Sequence, residues 1–186
     1  MSSENLKKKI HYFYTAIFVI SIFLFSCTTE PEGCELGFTE INGECYSDAD
    51  MDVLQAFADS SGIVVNPLSL STQKWNENGR LTMLSLYDDT LSCGIPENIG
   101  NLVYLDTLNL ALNQMLGEIP KGIGELENLN YLYLYSNKLS GTIPGSICNI
   151  YPNLSNFWIQ YNSLCPPYPE CIPEDEIHPQ DTSQCP

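Results

Sequence analysis

Basic side chains are scarce: 7 Lys and Arg stand against 23 Asp and Glu, a formal net charge of −16. Phosphate backbones are held by cations that displace counterions, so this balance excludes nucleic acid as a partner. Histidine is scarcer still, with 2 in the chain. One is His11, near the N-terminus, and the other is His178, in the acidic, proline-rich EDEIHPQD. No two cysteines are spaced C-x-x-C, so neither thiol pairs nor histidines offer a metal-ligand set, and no metal or cofactor is expected. G-x-S-x-G and phosphate-binding glycine loops are missing as well. The adjacent carboxylates Asp88 and Asp89 lie in a polar turn and read as solvated charges. Nothing in the sequence assembles a catalytic constellation, and the expectation is a protein that performs no chemistry.

What is present starts with a leader. Lys7, Lys8 and Lys9 precede an apolar run from Ile10 to Phe25, and Ser26 follows. That order matches a secretory signal over residues 1–26, excluded from fold reasoning. At 16 residues the run is short for a membrane span of about 20. Leu24, Phe25, Ser26 and Cys27 resemble the lipobox of bacterial lipoproteins. The resemblance implies lipidation at Cys27, a tether over 27–33 and export to the surface or outer membrane of a bacterium, with the membrane held through the N-terminal lipid.

Cysteine usage agrees with export. Removing Cys27 leaves an odd number of the chain's 8 cysteines, which read as disulfides in an oxidising compartment with one thiol left over. Cys34 and Cys45 bracket CELGFTEINGEC, where Asn42-Gly43 signals a tight hairpin. Cys148, Cys165, Cys171 and Cys185 surround the Pro-rich CPPYPECIPEDE and allow three connectivities. Cys93 is the candidate for the unpaired thiol.

A repeat organises the middle. LTMLSLYDDTLSCGIPENIG, LDTLNLALNQMLGEIPKGIG and LNYLYLYSNKLSGTIPGSIC begin at Leu81, Leu105 and Leu129, and a degenerate LSNFWIQYNSLC begins at Leu154. Ile-Pro recurs at 95–96, 119–120 and 143–144. These copies resemble leucine-rich repeats of the G-x-I-P subtype, known from plant receptors and bacterial surface proteins. The resemblance implies an α/β fold: a short right-handed solenoid with a parallel concave β-sheet and disulfide-stapled caps. The repeats occupy 81–164, between an N-terminal cap over 34–80 and a C-terminal Cys/Pro-rich cap over 165–186.

Each coil buries apolar side chains against its neighbours. The inward positions are Leu81, Leu84, Leu86, Leu91, Ile95 and Ile99 in the first copy, with equivalents from Leu105 to Ile123 and from Leu129 to Ile147. Asn113, Asn137 and Asn162 follow the strands and can bond turn backbone as both donor and acceptor. Asp89 stands in that place in the first copy and, ionised, can only accept, so an altered ladder is expected there. Cys93 replaces the glycine of later copies, predicting a different turn. Upstream, SDADMDVLQAFADSSG predicts a helix capped by Asp48 or Asp50 and ended at Gly62. Trp75 is expected to plug the end of the core. DADMD lacks the glycine and glutamate of a calcium loop, and its helix-start reading stands. Asn153-Leu154-Ser155 fits a glycosylation pattern that the lipobox sets aside.

Strand side chains alternate, so the residues between inward leucines share the concave face. These are Met83, Ser85, Tyr87 and Asp88; Thr107, Asn109, Ala111 and Leu112; Tyr131, Tyr133 and Tyr135; and Asn156, Trp158, Gln160 and Tyr161. Tyrosine and tryptophan offer large contact area at low entropic cost. The candidate ligand-binding residues are Tyr87, Asn109, Tyr131, Tyr133, Tyr135, Trp158, Gln160 and Tyr161, for a protein or glycan partner. The alternative is an envelope spacer whose tyrosines merely suit a strand.

Overall fold

The computed structural model describes residues 34–62 and 66–186. The signal over 1–26, the lipobox with Cys27 and the tether over 27–33 lie outside the described residues. Among the described residues, no helix is long and apolar enough to cross a membrane.

Strands β1 (Phe38–Ile41) and β2 (Glu44–Ser47) pair antiparallel, and Asn42 and Gly43 both take positive φ in their turn. Cys34 is joined to Cys45 beside this hairpin. Helix α1 (Asp48–Ser61) follows directly and ends at Gly62 in the left-handed region. Its cap is Ser47, whose hydroxyl accepts from the Asp50 amide, and neither Asp48 nor Asp50 serves. Asp50 is drawn inward instead: it is fully buried, and its carboxylate takes the Arg80 guanidinium at 2.8 and 3.0 Å and the Leu81 amide at 2.8 Å. The same hydrogen bonds raise the Arg80 pKa above its ordinary value.

The main sheet runs β3 (Thr72–Trp75), β4 (Leu81–Ser85), β5 (Thr107–Asn109), β7 (Tyr131–Tyr133) and β9 (Asn156–Trp158). All neighbours are parallel except β3, which adds antiparallel to β4 and closes the N-terminal edge. Trp75 sits half-buried in β3, packed against the core and edge-on to Tyr46 at 4.9 Å. A second parallel sheet carries β6 (Leu116–Gly117), β8 (Lys138–Thr142) and β10 (Ser163–Cys165). The first repeat contributes no strand to it; Cys93, in place of glycine, does not take the positive φ of Gly117 and Gly141. Cys93 is an unpaired, buried thiol.

Leucine spacing fills the interior between the two sheets. All 18 predicted inward positions are buried, and Leu102, Leu126 and Ile150 join them as a further recurrent core position that the sequence reading passed over. Stacking is tight enough to demand glycine: a Cβ at Gly124 would collide with the Ser146 carbonyl oxygen of the next coil. Between coils runs a ladder of amides. Asn113, Asn137 and Asn162 each accept from the preceding coil, at the amides of Leu91, Met115 and Leu139, and each donates to carbonyls on two coils. Asp89 makes none of these contacts, so the ladder begins at Asn113.

The C-terminal end adds a rung by imitation. Gln180 Oε1 accepts from the Leu164 amide at 3.3 Å, and its Nε2 donates to the carbonyls of Ile159 and Ile177 at 2.9 and 2.7 Å. Those are the contacts that asparagine makes in the earlier coils, shifted one coil onward. Ile177, three residues before it, is fully buried where the repeats place leucine. Cys148 is joined to Cys171, and Cys165 to Cys185, which resolves the three connectivities to one.

Candidate functional site

Strand register sorts the concave face into rows. Lys74, Met83, Thr107, Tyr131 and Asn156 are in register across the five strands. Thr72, Ser85, Asn109, Tyr133 and Trp158 form the next row. Partners in register project to the same side, while Leu84, Leu108, Leu132 and Phe157 between the rows are buried on the other. Thr72 and Lys74 are additions that sequence reasoning missed. TQKW alternates between exposed and half-buried positions in the structure, but its three polar residues carry no alternation in sequence, and nothing local says that it turns back antiparallel onto the first repeat.

Aromatic rings crowd the C-terminal half of this face. Tyr131 and Tyr133 stack at 6.5 Å, and Trp158 meets Tyr133 at 5.1 Å and Tyr135 at 5.7 Å, inclined by 63° and 67°. Trp158 remains 48% exposed, Tyr87 45% and Tyr161 62%. The Asn156 amide donates to the Tyr133 hydroxyl at 3.0 Å and fixes that ring. Burial raises the Tyr135 phenol above its ordinary pKa, with Tyr87 and Tyr133 adding to the effect.

After each concave strand the chain takes the left-handed conformation at an equivalent residue, Asp88, Leu112, Ser136 and Tyr161, all with φ between 55° and 58°, and the first coil repeats it at Thr90 with φ 59°. The amides of the four equivalent residues donate to Ala111, Tyr135, Gln160 and Pro179 on the following coil. Such a bend costs a bulky residue strain that the ladder must offset. It tips Leu112 and Tyr161 outward, where both are exposed.

Two expected members of the face are held in ways that the alternation does not show. Ala111 is fully buried, because it lies between Tyr87 and Tyr135 in its row and those larger neighbours close over it. Gln160 is committed to the C-terminal cap, where its Nε2 donates to the Glu176 carbonyl at 2.6 Å. Asn109 keeps its place, with Oδ1 accepting from the Ala111 amide at 3.1 Å.

A cavity of about 880 Å³ lies elsewhere, in the C-terminal cap around Pro166, Tyr168 and His178. It shares no lining residue with the aromatic rows. An open sheet binds on a surface, so concavity on the scale of a small molecule is the weaker guide, and exposed clustered aromatics are the stronger one. Among the described residues no group of His, Cys, Asp and Glu could hold a metal ion.

Residues 128–150 match the family model of the Leucine Rich Repeat. No curated protein matches the chain. Among solved structures it is similar to the LRR ectodomain of the receptor kinase SOBIR1 from Arabidopsis thaliana, at 27% identity and a TM-score of 0.54, over 64% of this chain and 70% of that one. A plant ice-binding protein shares the fold at 24% identity and a TM-score of 0.55, over 64% of this chain and 42% of its own. The PEPR1–AtPEP1 structure does so at 23% identity and 0.51, over 67% and 23%. The chain thus spans less than half of the last two. Its repeats, their ladder and the solenoid they build identify the chain as a leucine-rich repeat protein.

Proposed function

We propose that this chain is an exported recognition protein, anchored to a bacterial surface or outer membrane by lipid on Cys27 and the following residues up to 33, that binds a protein or glycan partner on its concave face. The observation that carries the reading is the aromatic group of Tyr87, Tyr131, Tyr133, Tyr135, Trp158 and Tyr161. These rings converge from separate coils onto one side of the sheet, where Tyr87, Tyr131, Trp158 and Tyr161 are exposed and Tyr133 and Tyr135 are half-buried among them. A monomer gains nothing from exposing rings in one place, and such clusters serve interfaces. Three disulfides support an oxidising location, as does the likeness to a receptor ectodomain. The fold is a binding scaffold, and adhesion or recognition is its natural use.

Affinity capture tests the reading. The full chain is compared with a variant carrying Tyr131→Ser, Tyr133→Ser and Tyr135→Ser, after circular dichroism has shown both to be folded. Partners held by the first and lost by the second support recognition on this face. Identical captures favour the spacer.

A further inference from the structure

The concave face is chemically lopsided. Its N-terminal edge holds Lys74, its C-terminal half holds the rings, and four strand spacings, about 19 Å, separate Lys74's strand from Trp158's. Between them the rows carry Met83, Ser85, Thr107 and Asn109, none of them charged. Lys138 is the cation nearest the rings along the chain, and it lies on β8 with its ammonium donating to Gln114 Oε1 at 3.1 Å. Asp88 and Asp89 directly follow Tyr87 in the chain, and Asp181 lines a depression together with Tyr161 and Lys138.

We propose that Tyr133, Tyr135 and Trp158 seat a cation, the guanidinium or ammonium of an arginine or lysine side chain borne by a partner polypeptide. The inference rests on the recognition reading of this face and names the chemistry of its occupant. Tyr133 and Tyr135 pack edge-to-face with Trp158 and hold the indole in place, while 48% of Trp158 stays exposed to a partner. A cation within about 6 Å of ring centroids is attracted by their π-faces, most strongly to tryptophan. Arginine of the protein itself already makes such a contact at the N-terminal end, where the Arg80 guanidinium lies 4.5 Å over the Tyr104 ring. Among the described residues no cation lies over the rings of the concave group. A net charge of −16 draws cationic segments toward the chain and repels phosphate and acidic sugars.

Citrulline has the shape of arginine without its charge, and this sets the experiment. The full chain is titrated by calorimetry with an arginine–glycine peptide, with its citrulline counterpart and with the neutral glycan cellohexaose. The arginine peptide is expected to bind roughly tenfold more tightly than the citrulline peptide, a gap consistent with the strength of cation–π contacts. Trp158→Ala should erase that gap, while Trp158→Phe, which keeps a π-face, should retain most of it. An arginine preference unchanged in Trp158→Ala would show that bulk charge alone is responsible, and equal binding of the two peptides would remove the charge requirement; either overturns the proposal. Binding of cellohexaose alone, lost in Trp158→Ala, would keep the recognition surface and overturn its cationic occupant. If no probe depends on Trp158 and captures ignore the tyrosines, the recognition reading itself fails.

Discussion

The two ends of the solenoid are closed by opposite means. At the N-terminal end foreign elements are brought in: a hairpin, a helix and an antiparallel strand, locked to the first repeat by the buried Asp50–Arg80 pair. At the C-terminal end the chain copies its own repeat, with Gln180 in the asparagine position, Ile177 in the leucine position and two disulfides holding the copy in place. Both solve one problem, since an open coil exposes apolar side chains and unpaired strand groups. The comparison teaches that a cap built from unlike parts needs a strong specific contact. A cap built by imitation can rely on the ladder that the repeats already supply.

Removing the N-terminal lock should therefore have the largest effect. Asp50→Ala leaves the Arg80 guanidinium without its partner and the Leu81 amide without its acceptor, and breaking a buried pair in this way costs about 3–5 kcal/mol. The lower part of that range is expected, because the Arg80 side chain keeps 16% exposure and can reach water. Urea unfolding monitored by tryptophan fluorescence measures it. Next comes the C-terminal staple. Cys165→Ser with Cys185→Ser opens a loop with a sequence separation of 20, which corresponds to about 3 kcal/mol in the loop-entropy account. A larger loss here than in Asp50→Ala would invert the comparison, making the covalent staple, and not the ion pair, the stronger closure.

How much of this was legible follows from where the information lies. The repeat was readable because its period and its Ile-Pro and asparagine positions recur within one chain, and each recurrence places a residue in the same environment. Ser47 as the cap was not, since Asp48 and Asp50 are equally good candidates by type; only the distant Arg80, 30 residues along, draws Asp50 inward. Ala111 looked like a face residue by alternation alone, and its burial depends on two tyrosines one coil to either side. Strand β3 lacks any repeat to announce it. The fifth rung was present in the sequence as I-x-x-Q, within a segment that its acids and prolines made look like a tail. Glutamine for asparagine, together with the loss of the 24-residue period, hid it.

The fifth rung offers the finest test of the comparison. If imitation suffices, Gln180 carries the same task as the internal asparagines, only at an edge. Gln180→Ala leaves the Leu164 amide and the Ile177 carbonyl without the partners they have here, and an unsatisfied buried group costs about 1–3 kcal/mol. Water can reach the last coil more readily than the middle of the ladder, which places the expected loss near 1 kcal/mol and below that of Asn137→Ala. Gln180→Asn is the sharper variant. The internal rungs span the same gap with the shorter amide, so a true copy of the repeat should tolerate asparagine with a loss smaller than that of alanine. A loss equal to alanine would mean that the terminal coil stands farther from Leu164 and Ile159 than the inner coils stand from one another. The end would then be a distinct cap that borrows only the hydrogen-bonding pattern of the repeat.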